Sequence, residues 1–150
     1  MSTNAFMARN DGDNRGSGTA DEALRRRLSA LPGLDVALGL SHLRGRHDSY
    51  ARVLKKFAET RAADIEATNS HLAARNHAEL AALMHNLKGI AGFLGAVELQ
   101  ETATALCAAM RAGQDDGEVE RLTRAIVKMQ SELSAGVLAA FDQPPEKSGS

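Results

Sequence analysis

Residues 85–95 read HNLKGIAGFLG, one histidine and one lysine among three glycines, inside a stretch that otherwise has the pattern of an amphipathic helix. A neutral imidazole keeps a ring-nitrogen lone pair and can act as a nucleophile without a helper base. Glycine costs a helix interior about 1 kcal/mol relative to alanine, so Gly89, Gly92 and Gly95 need a reason. At about 100° per residue, with His85 at zero, Lys88 falls near −60°, Gly89 near +40° and Gly92 near −20°. Ala78, Ala81 and Ala82 lie within about 60° of the histidine, whereas Leu80, Met84, Leu87, Ala91 and Leu94 gather on the far side. This geometry predicts a solvent-facing His85 standing over a bare patch that a protein surface could reach. Gly89 and Gly92 could instead admit a crossing helix, but the wheel turns them away from the apolar side. Gly95 reads as the residue that ends the helix.

Four helices are expected to hold that patch. The first, long enough to bend, runs from Asp48, a candidate N-cap, to about Asn76, through Tyr50, Val53, Leu54, Phe57, Arg61, Ile65, Thr68 and Leu72 at three- and four-residue steps. The second opens on Asn76 with Glu79 and ends at Gly95. The third spans about Ala96 to Ala112, with Leu99, Ala103, Leu106 and Met110 inward and Gly113 as the stop. The fourth starts at Asp115 or Asp116 and carries Val119, Leu122, Ile126, Met129, Leu133, Val137 and Phe141 toward Pro144-Pro145. Turns of a few residues reach only an antiparallel neighbour, so the expected fold is an all-α, antiparallel up-down four-helix bundle. Two short N-terminal lead-in helices precede it, one opened by a Thr19–Glu22 capping box and stopped at Pro32-Gly33, the other from Leu34 to Leu43. Residues 1–18 have the composition of a tail or linker, 19–143 form the bundle domain, and 144–150 form a second tail.

Composition agrees with this class. The chain has 150 residues, enough for one core, and aromatics make up only 3%, which favours helices packed through Ala and Leu over pleated sheet. A formal net charge of −1 gives no electrostatic case for nucleic acid or an anionic membrane as partner. The single cysteine, Cys107, excludes an internal disulfide and fits a reducing compartment; beside Leu106 it reads as a small buried hydrophobe. With no span-length apolar run and no signal-peptide stretch, a cytoplasmic location is expected. His42, His47, His71 and His77 read as surface, turn or cap residues, and no metal site is expected. Arg25-Arg26-Arg27 and Lys55-Lys56 read as solvated basic faces.

His85-Asn86-Leu87-Lys88-Gly89, with the small-residue run to Leu94-Gly95-Ala96, resembles the signature of histidine-containing phosphotransfer (HPt) domains. Leu31 to Glu59 is similar to the lead-in and first helix of HPt modules at the C-terminal end of bacterial hybrid sensor histidine kinases, and the resemblance spans residues 31–141. LQET, Leu99 to Thr102, is similar also to the phosphotransfer domain of chemotaxis-type kinases. Ile90 stands where HPt motifs often carry a small residue, but at about 140° from His85 it faces partly inward.

The resemblance implies a phosphorelay intermediate in which His85 accepts a phosphoryl group from a receiver-domain aspartate and passes it to another receiver. Lys88 would offset phosphoryl charge, and Gly89 would keep the approach clear. Ala81, Ala82, His85, Lys88, Gly89 and Gly92 would form the partner-binding surface. The expected partners are response-regulator receiver domains and a hybrid sensor histidine kinase, met by a monomer without nucleic-acid or direct membrane contact. No cofactor is expected on this chain, the magnesium ion belonging to the receiver. Nothing resembles a Walker-type phosphate loop or a kinase dimerisation motif, so the chain is expected to be a phosphoryl carrier without kinase activity of its own. The alternatives are a chemotaxis-type domain phosphorylated by an ATP-dependent kinase domain, and an adaptor bundle that carries no phosphate.

Overall fold

The computed structural model describes residues 20–142, so the two expected tails and the Thr19 capping residue lie outside the described residues. Seven helices follow one another: α1 (20–29), α2 (Val36–Ser41), α3 (His47–Glu59), α4 (Arg61–Ala73), α5 (His77–Leu94), α6 (Val97–Arg111) and α7 (Asp116–Asp142). The expected all-α class holds among the described residues, and the only pairing of β type there is an isolated antiparallel bridge, Leu34 to Ala96.

The long helix expected from Asp48 to Asn76 is two helices. The chain breaks at Thr60, where φ is −93° and ψ −1°. Thr60 N–H is shared between the carbonyls of Lys56 and Phe57, and its hydroxyl donates to the Phe57 carbonyl at 2.9 Å. A β-branched hydroxyl residue that bonds back to its own turn competes with the regular ladder and bends the helix. Asp48 is not the N-cap either: Arg46 occupies that position, without a side-chain bond, and Asp48 sits inside the first turn.

Taken together, α3 and α4 form one bent pillar, both halves lying against α7, while α5 packs between α4 and α6, and α6 against α7. The links at 74–76, 95–96 and 112–115 are too short for anything but reversal, which gives the up-down bundle. Its core is aliphatic: Leu54, Leu80, Leu94, Leu106, Ile126 and Val137 are fully buried. The inward face of α7 is rotated from the expected stripe. Thr123, Gln130 and Ala140 are buried, whereas Leu122, Met129 and Phe141 are half-buried at the seams. Thr123 can be buried because its hydroxyl donates to the Val119 carbonyl at 2.7 Å. Gln130 can be buried because Arg61, itself buried just after the bend at Thr60, donates to its Oε1 at 2.8 Å.

The lead-in, with Tyr50 of α3, closes one end of the bundle by satisfying the last carbonyls of α5 and its cap, which a helix terminus leaves unpaired. Asp35 N–H donates to the Gly95 carbonyl at 2.7 Å, and the Tyr50 hydroxyl donates to the Leu94 carbonyl at 2.8 Å. His42 Nδ1 donates to the Phe93 carbonyl at 2.8 Å. Gly39 makes this contact possible, since a Cβ there would collide with the Leu94 carbonyl and the Tyr50 ring.

Candidate functional site

Helix α5 presents the histidine, and both of its ends are firmly specified. Asn76 Oδ1 accepts from Glu79 N–H at 3.3 Å, the expected N-cap. At the other end Gly95 has φ +86°, Gly95 N–H donates to the Gly92 carbonyl at 3.3 Å and Ala96 N–H to the Ala91 carbonyl at 2.8 Å, which together form a Schellman stop. Between these caps Leu80, Met84, Leu87, Ala91 and Leu94 are all buried, as the wheel predicts. The rotation of the helix is thereby set, and it turns His85, Asn86, Ala82 and Gly89 outward, all four exposed.

Around His85 the surface is open. A Cβ built at Gly89, one turn further along, meets no heavy atom within 4 Å. Ala81 and Lys88 are half-buried on the side of the ridge that turns toward α6. Lys88 keeps its charge uncommitted: the ion pairs among the described residues lie elsewhere, at Arg61–Asp64, Arg75–Asp116, His77–Asp116, Arg121–Glu118, Arg124–Glu120 and Lys128–Glu132. On the other side, Ile90 is half-buried in a crevice with Val53, Phe57, Thr60 and Arg61, rimmed by Arg52 and Lys56. The partly inward position expected for Ile90 is what the structure shows.

Gly92 departs from its expected place on the bare patch. It is half-buried, and a Cβ there would meet the Gln100 side chain of α6, with Nε2 at 2.5 Å. The wheel gives the angle of Gly92 correctly, but α6 packs so close that its glutamine reaches across. Gly92 therefore belongs to the α5–α6 seam and not to the open surface.

Sequence reasoning missed the polar cluster at the bend. Arg61 is 5% exposed, stacks on the Phe57 ring at 4.0 Å, donates through Nε to the Phe57 carbonyl and through Nη2 to Thr60 Oγ1, and pairs with Asp64 at 2.8 Å. Burial lowers its pKa from the usual guanidinium value, against the opposing pull of Asp64. The signal was present, since Arg61 occupies a core step of the period, but a lone arginine on an apolar stripe gives no partner.

The remaining histidines have the surface, turn and cap positions expected of them. His42 caps α2, His47 opens α3, His71 lies in the last turn of α4, and His77 begins α5 near Asp116. Cys107 is half-buried against the core. Among the described residues no group of three or more His, Cys, Asp or Glu side chains converges as a metal-ligand set, and no helix is long and apolar enough to cross a membrane.

No curated protein and no solved structure matches the chain. The Hpt domain family, however, matches residues 52–138, more than half of the chain, and that stretch contains the bent pillar from its second turn, all of α5 and α6, and most of α7. Hpt domains are phosphoryl carriers of phosphorelay signalling, and an exposed imidazole on a helical bundle is what such a carrier requires. By fold and by this match, the chain belongs to the Hpt domain family.

Proposed function

We propose that His85 is the phospho-accepting residue and that it relays a phosphoryl group between the aspartates of two receiver domains. The observation that carries this reading is the open approach to His85: an exposed imidazole with empty space where a side chain at Gly89 would stand. A ring-nitrogen lone pair attacks phosphorus, the new N–P bond forms as the aspartyl O–P bond breaks, and the electron pair returns to the aspartate carboxylate. The other ring nitrogen keeps its proton. The same exchange run in reverse loads the second receiver.

Little catalytic apparatus is needed on this chain, because phosphoryl transfer depends chiefly on alignment and charge stabilisation. Lys88, one turn beyond His85, supplies a mobile positive charge near the phosphoryl oxygens. Ala81 and Ala82 give the docked receiver a low surface. The magnesium ion and acidic site belong to the receiver, and the partners are response regulators and a sensor kinase in the cytoplasm. The test is transfer of label from a phosphorylated receiver to the chain, giving an acid-labile phosphohistidine. His85→Gln is expected to abolish labelling; label retained by that variant overturns the assignment.

A further inference from the structure

Two large apolar side chains among the described residues are exposed, Leu38 and Phe93, each at 37%. Both stand at the lead-in end of α5, and His42 joins them. Its ring stacks on Phe93 with centroids 5.7 Å apart and planes 18° from parallel, while its Nδ1 holds the Phe93 carbonyl. Leu38 precedes His42 by four residues, so the two share one face of α2 and its cap. Phe93 in turn lies on the ridge of the reactive histidine: His85, Gly89 and Phe93 follow at four-residue steps, which places Phe93 about 12 Å along the axis from His85.

That spacing brings the pair within reach of whatever docks on His85. A stable protein interface buries about 800 Å² per partner, a disc about 16 Å in radius. An aromatic side chain already stacked in place loses little freedom on binding, which suits it to anchor a contact. We infer that Leu38, His42 and Phe93 form a recognition patch for the receiver domain that exchanges phosphate with His85, with Phe93 as anchor and Leu38 beside it. The inference rests on the proposed function and adds residues to it. Leu38 and His42 lie outside the 52–138 family match, so the patch lets the lead-in distinguish among receivers that all fit the common bundle.

The experiment measures phosphotransfer between the chain and a receiver charged with acetyl phosphate, across receiver concentration, beside direct labelling of His85 by phosphoramidate, which needs no docking. Phe93→Ala and Leu38→Ser are each expected to raise the half-saturating receiver concentration about tenfold, equivalent to about 1.4 kcal/mol, with limiting rate and phosphoramidate labelling unchanged. Gln114→Ala, exposed at the opposite end, is expected to match the wild type. Half-saturation of both patch variants within about twofold of wild type, where mutant effects are mostly on dissociation, overturns the patch and leaves the relay intact. A wild-type chain that takes phosphate from phosphoramidate but from no receiver overturns both. Should Phe93→Ala fray the end of α5, seen as lost helicity, Leu38→Ser decides alone.

Discussion

Substituting Gly89 separates stability from function in opposite directions. Nothing stands within 4 Å of a Cβ at this position, and the helix continues on both sides, so alanine adds no clash and removes the helical penalty of glycine. Gly89→Ala is expected to stabilise the fold by about 1 kcal/mol, a rise in Tm of about 3–5 °C for a domain of this size. Gly89→Leu keeps most of that gain, because leucine is also a strong helix former. Its side chain, however, leans toward the helix N-terminus and covers the turn before it, which is where His85 stands about 6 Å away. Displacing a docked receiver by even 1 Å costs transfer about 100-fold, so Gly89→Leu should lose at least that much in receiver-dependent labelling while still reacting with phosphoramidate. Thermal melts followed by circular dichroism, with rapid-quench phosphotransfer on the same samples, measure both. A lowered Tm for Gly89→Ala, or undiminished transfer for Gly89→Leu, would refute the reasoning that this glycine is kept for access.

Three further outcomes follow from the packing. Tyr50 is the only tyrosine, and burial, aided by Asp35, pushes its phenol far above its usual pKa of 10.0. Above about pH 10 the unfolded chain ionises and the native one does not, so stability falls by up to about 1.4 kcal/mol per pH unit; tyrosinate absorbance should appear only with unfolding, and Tyr50→Phe should remove this component while losing about 1 kcal/mol for the bond to Leu94. Gly39→Ala forces a methyl into the Leu94 carbonyl and the Tyr50 ring, and urea unfolding should show a loss of about 1–3 kcal/mol. Arg61→Met keeps the aliphatic stem but leaves the buried Gln130 amide, whose Nε2 has no partner among the described residues, without its donor at Oε1; a loss of about 1–3 kcal/mol is expected, recovered in part by adding Gln130→Leu.

Much of the candidate site was legible in the chain alone, because it depends on one helix. The five-residue apolar stripe of α5 sets which way the helix rolls, and the rest of its circumference is then determined, His85 and Gly89 included. The caps at Asn76 and Gly95 were equally local, each a matter of one side chain or one φ angle. What failed were readings that depend on a neighbour. Arg61 is tolerable in the core because Phe57, Thr60, Asp64 and Gln130 take up its donors, and Gln130 because Arg61, 69 positions away, donates to its Oε1, and neither alone announces it. A bend was within the reading of so long a helix, but its place at Thr60 was not legible because periodicity continues through it; the break lies in a hydroxyl that bonds its own turn.

Sequence by itself determined the helical class, the order of the four pillars and the outward histidine, since periodicity, capping and turn length act within a few residues. Tertiary structure alone decided that Gln100 covers Gly92, that the lead-in and Tyr50 of α3 tie off the carbonyls of Phe93, Leu94 and Gly95, and that Phe93 is left exposed with the His42 ring stacked on it. Those outcomes depend on the distance between helices, and that distance is a property of the packed core as a whole.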